Sequence, residues 1–153
     1  MKKVGFFIGK IAFWVSWPAL WLYLSHSKRT RLLLICGDEF LVLRGWLGSG
    51  EWALPGGGLH RGEAAALGLI REVREETRIV LTSQDLTFLF TTTQTNKGIR
   101  FSYDCYCARL DKKPDIKIQK YEIGAYAWVP LNAPGVRLSA DTVYALGQWQ
   151  NNQ

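Results

Sequence analysis

Residues 57–79 of the chain read Gly57-Gly-Leu-His-Arg-Gly-Glu63-Ala-Ala-Ala-Leu-Gly-Leu-Ile-Arg71-Glu72-Val-Arg-Glu75-Glu76-Thr-Arg-Ile79. A glycine-rich loop leads directly into a segment with helical periodicity. At 100° per residue, one narrow apolar stripe lies within about 60° of arc and contains Ala66, Ile70, Val73 and Thr77. The stretch therefore predicts an amphipathic helix that packs on a core.

The opposite side of this predicted helix is acidic. Glu72, Glu75 and Glu76 occupy roughly 100° of arc there. Because Glu72 and Glu76 are one turn apart, their like charges repel by a few tenths of a kcal/mol. A hard divalent cation bound between them would relieve that repulsion. The alternative is a solvated helix face in which glutamates pair with Arg71, Arg74 and Arg78, as in most charge runs.

The loop before the helix favours an anion site. Its sequence, Pro55-Gly56-Gly57-Gly58, has almost no side chains to obstruct a close approach. Backbone N–H groups near a helix start attract anions such as phosphate. Glycine-rich loops are also common as simple turns. The loop therefore supports a phosphate site beside the acidic helix but does not establish one by itself.

Together, loop and helix resemble the signature of the Nudix hydrolases, G-x5-E-x7-R-E-U-x-E-E-x-G-U, in which U is a bulky aliphatic residue. The matching positions are Gly57, Glu63, Arg71, Glu72, Val73, Glu75, Glu76 and Ile79. One position departs, because Arg78 replaces the glycine that usually supplies a left-handed turn after the helix. The resemblance extends from about Thr30 to the C-terminus. It implies an α/β fold, a Nudix-type α/β/α sandwich with a mixed sheet.

The resemblance also implies an Mg²⁺- or Mn²⁺-dependent pyrophosphohydrolase that cleaves a diphosphate linkage in a nucleoside-diphosphate-type substrate. The metal ligands it implies are Glu72, Glu75 and Glu76, assisted by Glu63. Arg71 is expected to orient Glu75, and Glu76 or Glu122 to act as the general base. Phosphate binding is assigned to Gly57, Gly58 and Arg44. Two alternatives stay open: a lipid or prenyl diphosphate as substrate, and a non-catalytic nucleotide-binding module of the same fold.

Outside the helix, apolar alternation and turn residues predict the other elements. Predicted strands cover Arg31–Cys36, Phe40–Arg44, a short segment ending at Leu54, Leu86–Thr93, Phe101–Leu110 and Ala125–Pro130. A last helix is predicted over Ala140–Gln150. The order of strands and helices fits a mixed α/β domain.

Charge excludes a nucleic-acid partner. The 153-residue chain has a net charge of +6, with 19 basic and 13 acidic residues. Six of the basic residues lie within residues 1–31, which contain no acidic residue, so the rest of the chain is neutral. Sequence-independent nucleic-acid binding requires a basic face on the folded domain. The sequence assigns no oligomeric state.

Residues 1–27 form a separate hydrophobic segment before a domain predicted over residues 28–153. Residues 4–24 are apolar all round and long enough, as a helix of about 30 Å, to span a bilayer. We expect a hydrophobic helix that anchors the chain in a membrane, with the catalytic domain cytoplasmic because basic residues follow the segment. A helix along the interface and a cleaved signal peptide are the alternatives. Three cysteines without metal-ligand spacing, Cys36, Cys105 and Cys107, suit a reducing compartment.

Overall fold

The computed structural model describes residues 28–46, 50–96, 99–119 and 121–152. Within these ranges the chain forms five strands, two α-helices and one short 3-10 helix. They follow in the order β1 (Lys28–Cys36), β2 (Glu39–Gly45), α1 (Ala65–Thr77), the 3-10 helix (Ser83–Asp85), β3 (Thr87–Asn96), β4 (Ile99–Leu110), β5 (Ile123–Pro130) and α2 (Ala140–Asn151).

All five strands form one mixed sheet in the order β3-β4-β1-β2-β5. β1 and β4 are parallel, whereas the β1–β2, β2–β5 and β3–β4 pairs are antiparallel. The mixed sheet that the sequence predicted is therefore confirmed. Each predicted strand from Arg31 onward is present with slightly different bounds, except the short one ending at Leu54.

Residues of β1 alternate between two cores because successive strand side chains point to opposite faces. Leu34 packs in a cluster with Leu69 of α1, and Leu33 packs in the other cluster with Leu146 of α2. Both leucines of β1 are fully buried, and each contributes roughly 1.5–3 kcal/mol by leaving water. The two helices therefore cover opposite faces of the sheet, as expected for an α/β/α arrangement.

The sheet opens between β1 and β2, and residues 53–59 fill the opening. β1 pairs directly with β2 only next to their connecting turn. Further along, the β1 backbone N–H groups of Thr30 and Leu32 donate to the carbonyls of Gly57 and Pro55, each at 2.9 Å. Ala53 exchanges hydrogen bonds of 2.8 and 2.9 Å with Leu43 of β2. The predicted strand ending at Leu54 is thus reduced to isolated bridges, since its neighbours lie on two diverging strands.

Helix α1 ends in a left-handed turn at Arg78, the residue that stands where the family signature has glycine. Arg78 has φ 65° and ψ 10°, in the left-handed region, and its N–H donates to the Arg74 carbonyl at 3.0 Å. The Thr77 hydroxyl donates to the Val73 carbonyl at 2.6 Å and accepts from the Ile79 N–H at 3.2 Å. The arginine therefore adopts the turn that glycine usually makes, and Thr77 helps to close the helix.

The predicted location, membrane-associated with a cytoplasmic catalytic domain, is wrong on the evidence of the described residues. Across the ranges given above, no helix is both long and apolar enough to cross a bilayer. α1 and α2 have 13 and 12 residues, about 20 Å each, against a hydrocarbon core of about 30 Å. Residues 4–24, where we predicted a hydrophobic helix and a membrane contact, lie outside the described residues.

One hydroxyl of β1 yields a stability prediction. Within the described part of the chain, the Thr30 hydroxyl is the buried side-chain group without a hydrogen-bond partner. A buried unpaired polar group costs about 1–3 kcal/mol. We therefore expect Thr30→Val, which replaces the hydroxyl with a methyl group of similar size, to raise the free energy of unfolding by about 1 kcal/mol in urea titrations.

Thr142→Val is the matched control for this change. Thr142 is equally buried, but its hydroxyl accepts from the Leu54 N–H at 3.1 Å and shares a 2.9 Å hydrogen bond with Ser139. The same substitution there leaves the buried Leu54 N–H without its acceptor and lowers stability. Equal destabilisation by the two substitutions would contradict the account of Thr30.

Candidate active site

The glycine loop reaches the acidic helix through Gly56. This residue has φ 126°, and a Cβ atom built on it would lie 2.3 Å from the Thr30 carbonyl oxygen. Only glycine combines that backbone angle with so close an approach to β1. The Gly56 N–H donates to Oε2 of Glu76 at 2.9 Å. Loop and helix are therefore joined directly at one of the predicted metal ligands.

The next residue makes room for a second carboxylate. A Cβ atom on Gly57 would lie 2.5 Å from Oε2 of Glu72, well inside van der Waals contact. The absence of a side chain at Gly57 thus allows the Glu72 carboxylate to lie against the loop backbone. Glu72 and Glu76, one helical turn apart, converge on two consecutive glycines.

Glu76 is the electrostatically unusual member of this group. Burial raises its pKa to about 7, although the Gly56 N–H and the Arg31 charge act in the opposite direction. The charges of Glu72 and Glu122 raise the pKa further. Glu122, the other candidate for the general base, therefore lies close enough for its charge to act on Glu76. A bound cation beside Glu76 would favour its ionised form.

Arg71 forms the main bridge between loop and helix. Its Nε and Nη2 donate to the two oxygens of Glu63, both at 2.9 Å, and its Nη1 donates to Glu72 at 2.8 Å. Nη2 also donates to the Gly58 carbonyl at 3.0 Å. The predicted pair with Glu75 is present, but at 3.6 Å it is the longest of these contacts. Hydrogen bonding to Glu63 raises the pKa of Arg71 from its ordinary value.

Glu63 closes the loop on the helix. Besides its two bonds from Arg71, it accepts from the His60 N–H at 2.8 Å, and its own N–H donates to the His60 carbonyl at 3.1 Å. The hydrogen bonds from Arg71 and then from His60 lower the pKa of Glu63 to about 2. Glu63 is thus held as a carboxylate by groups of the loop and helix. We predicted it as an assisting metal ligand from the sequence, and that role stays a prediction.

The three remaining predicted site residues have contacts of their own. Glu75 is half exposed beside Arg71. Arg44 places its guanidinium 4.8 Å from the centre of the Trp52 ring, a cation–π contact at the end of β2. The Glu122 carbonyl accepts from the Trp46 N–H at 3.0 Å, which fixes the turn before β5.

The donor atoms suit a hard divalent cation. Mg²⁺ and Mn²⁺ prefer carboxylate oxygens, and Glu72 and Glu76 present two such groups on the loop backbone. Among the described residues, no three His, Cys, Asp or Glu side chains already converge as a metal site. The chemistry of the two carboxylates fits the cation, and Glu75, half exposed beside Arg71, is the third carboxylate of the predicted set.

Sequence reasoning missed two residues behind the loop. Arg31 donates through Nη1 to the Gly56 carbonyl at 2.6 Å, and its Nε pairs with Asp141 of α2 at 2.9 Å. From the sequence, Arg31 counted only as one of the basic residues after the hydrophobic segment. A charged residue entering the apolar run Leu32-Leu-Leu-Ile35 was the available signal, because such a position needs a buried partner.

Comparison with known proteins agrees with this geometry. The family model described as NUDIX domain matches residues 26–146. A search of curated proteins gave no match. The crystal structure of a MutT NUDIX hydrolase from Burkholderia pseudomallei is similar with a TM-score of 0.73 and 21% identity, covering 80% of this chain and 97% of that one.

Two further structures share the fold. An Ap4A hydrolase binary complex from C. elegans has a TM-score of 0.68 and 24% identity, covering 82% of this chain and 96% of that one. A bifunctional NMN adenylyltransferase/ADP ribose pyrophosphatase from Francisella tularensis, complexed with AMP and a Mn ion, has a TM-score of 0.71 and 20% identity. This chain is covered to 95% and that one to 48%.

The family model covers well over half of the chain, and it includes both the glycine loop and the acidic helix. The chain therefore belongs to the Nudix hydrolase family, and the enzyme class predicted from the sequence, a Nudix pyrophosphohydrolase, is confirmed.

Proposed function

We propose that this protein hydrolyses a diphosphate linkage in a nucleoside-diphosphate-type substrate with the help of Mg²⁺ or Mn²⁺. The observation that carries the proposal is the convergence of Glu72 and Glu76 on the backbone of Gly56 and Gly57. That arrangement places two carboxylates beside a loop near a helix start, where backbone N–H groups can donate to phosphate oxygens. The domain responsible is residues 28–153.

Two structural neighbours support the substrate class. One is an Ap4A hydrolase, and the other includes an ADP ribose pyrophosphatase and holds AMP and a Mn ion. Both proteins are named for nucleotide substrates, and the second holds a nucleotide together with a divalent metal. These relatives bear on this chain through their common fold.

The metal would be held by Glu72, Glu75 and Glu76. When bound, it would neutralise phosphate charge and lower the pKa of water. The protein positions two of these carboxylates. The Gly56 N–H donates to one oxygen of Glu76, and Arg71 donates to one oxygen of Glu72. Arg71, which is bonded to Glu63 and to the Gly58 carbonyl, links the helix to the loop.

The glycine loop and Arg44 would bind the phosphates of the substrate. Gly57 and Gly58 offer backbone without side chains, and the Gly58 carbonyl is tied to Arg71, so its peptide group is held in place. Arg44, at the end of β2, adds a cation oriented by the Trp52 ring. We assign these three residues to substrate binding.

Two carboxylates are candidates to accept the proton of the attacking water. Glu76 is partly buried beside the loop, and Glu122 is near enough for its charge to raise the pKa of Glu76. A base must be within hydrogen-bond reach of the water, directly or through one further water. Glu122→Gln separates the two: loss of turnover at saturating metal identifies Glu122 as the base, and retained turnover leaves Glu76.

A substrate panel tests the proposed reaction. Phosphate or nucleotide release would be measured with nucleotide sugars, dinucleoside polyphosphates, oxidised nucleotides and prenyl diphosphates, with and without Mg²⁺. We expect Mg²⁺-dependent cleavage of at least one nucleoside diphosphate derivative. Binding of nucleotides with no cleavage of any member would contradict the proposal and favour the binding-module alternative.

We expect Glu76→Gln to lower kcat by at least ~100-fold with the fold retained. The amide is nearly the same size and can still accept the Gly56 N–H, but it removes the negative charge. Turnover is measured on the best substrate of the panel, and circular dichroism monitors the fold. Turnover equal to that of the unchanged protein would remove Glu76 from the mechanism.

Gly57→Ala tests the placement of Glu72. The new methyl group would meet the Glu72 carboxylate at 2.5 Å and no backbone atom among its nearest contacts, so the carboxylate must move. We expect kcat/KM to fall at least ~10-fold, equivalent to about 1.4 kcal/mol of lost transition-state stabilisation. Kinetic assays at saturating Mg²⁺ provide the measurement.

Gly147→Ala is the matched control for that substitution. A Cβ atom at Gly147, in α2, meets nothing within 4 Å, and alanine favours the helix. Its kcat/KM should stay within about twofold of the unchanged protein. If Gly57→Ala is equally harmless, Glu72 does not depend on the loop for its position.

A further inference from the structure

We propose that Trp46 and Tyr121 bind the base of the nucleotide substrate by stacking against it. The inference rests on the proposed function, because it assigns a subsite for another part of the same substrate. It makes the two aromatic residues specificity-determining residues, which contact the substrate and take no part in the cleavage of the diphosphate.

Trp46 and Tyr121 have the most exposed aromatic side chains among the described residues. The exposed fraction is 67% for Trp46 and 92% for Tyr121. A single apolar residue at a protein surface is common and needs no functional explanation. Two aromatic residues on adjoining backbone segments beside the proposed active site expose a larger apolar area, which a flat aromatic ligand would bury.

Backbone hydrogen bonds connect both residues to the acidic helix. The Gln119 N–H donates to the Glu76 carbonyl at 3.0 Å, which places the turn that contains Tyr121 at the end of α1. The Glu122 carbonyl, in the same turn, accepts from the Trp46 N–H at 3.0 Å. The segments that carry the two aromatic rings are therefore bonded to each other and, through Gln119, to the helix of the proposed metal ligands.

The turn also lies near the carboxylates electrostatically. The charge of Glu122, the residue after Tyr121, contributes to the raised pKa of Glu76. Trp46 follows Arg44, which we assign to phosphate binding, by two residues. Because a sugar joins the base of a nucleotide to its phosphates, a base subsite must lie close to the phosphate subsite without overlapping it. Trp46 and Tyr121 meet that condition.

Trp46 is positioned before any ligand binds. A Cβ atom built on Gly124 would lie 3.3 and 3.4 Å from Cδ2 and Cε2 of the indole, the two atoms shared by its rings. The indole therefore packs directly on the Gly124 backbone while most of the residue stays exposed. A ring that is already held in place loses little conformational entropy when a base stacks on it.

Stacking selects a chemical class of ligand. Every nucleobase has a flat aromatic face, so an aromatic side chain binds nucleotides without preferring one base. Inorganic diphosphate has no such face. The two residues should therefore contribute to the affinity for a nucleotide and contribute nothing to the affinity for a diphosphate group alone.

The test compares two ligands that differ only in the nucleoside. α,β-Methylene-ADP and methylenediphosphonate share a bridged diphosphonate that resists hydrolysis, but only the first contains a base. Dissociation constants for the full chain are measured by isothermal titration calorimetry at saturating Mg²⁺. We expect Trp46→Leu to raise the constant for α,β-methylene-ADP at least ~10-fold, and Tyr121→Leu at least ~3-fold, because leucine removes the aromatic face. The constant for methylenediphosphonate should change less than about twofold in both variants.

Phe88→Leu is the matched control. Phe88 is also an exposed aromatic residue, but it lies on β3, at the opposite edge of the sheet from β5, and its ring packs edge-on against Tyr106. Both constants should stay within about twofold of the unchanged protein. Trp46→Phe keeps an aromatic ring and should lose less affinity for α,β-methylene-ADP than Trp46→Leu.

The pattern across the two ligands separates base binding from general support of the site. Equal increases in both constants, or an unchanged constant for α,β-methylene-ADP in Trp46→Leu and Tyr121→Leu proteins that are folded by circular dichroism, overturn the inference while the proposed function stands. If neither ligand binds to the unchanged protein, the inference and the proposed function are both overturned.

Discussion

The structure depends on how the glycine loop is seated between β1 and β2. Because the two strands pair directly only beside their turn, the chain after residue 53 can bond to β2 and then to β1. This brings Gly56 within 2.9 Å of Glu76 on the helix that follows. Gly56 tolerates no side chain there, because a Cβ atom would overlap the Thr30 carbonyl. The loop can therefore fill the opening in the sheet only because it has glycine at this position.

This arrangement allows several carboxylates that would otherwise repel one another to lie close together on the acidic helix. Arg71 lies among Glu63, Glu72 and Glu75 and offsets part of their charge. Glu76 is partly buried and accepts from the Gly56 N–H, and this burial raises its pKa to about 7. Such a strained electrostatic balance is typical of functional sites, because a structural helix face would gain nothing by burying the acid. A divalent cation would supply the missing positive charge.

The sequence predicted the local features well because their causes are local. Helix α1, the strands and the last helix follow from residue periodicity, and the spacing of Gly57, Glu63 and Arg71 identified the family. Contacts between distant residues were not predictable. The Arg31–Asp141 pair joins residues 110 positions apart, and the bonds from Arg71 to Glu63 depend on how the loop folds back. At Arg78 a local signal was misleading: the sequence lacks the usual glycine there, yet the left-handed turn is present.

The most direct test of this account is a crystal structure of the protein grown with Mn²⁺, with data collected at the manganese absorption edge. We expect an anomalous peak that is bound by oxygens of Glu72, Glu75 and Glu76 and lies beside the Gly56–Gly57 backbone. A map without a peak at that position, in crystals soaked at millimolar Mn²⁺ and with the three carboxylates turned to solvent, would contradict it.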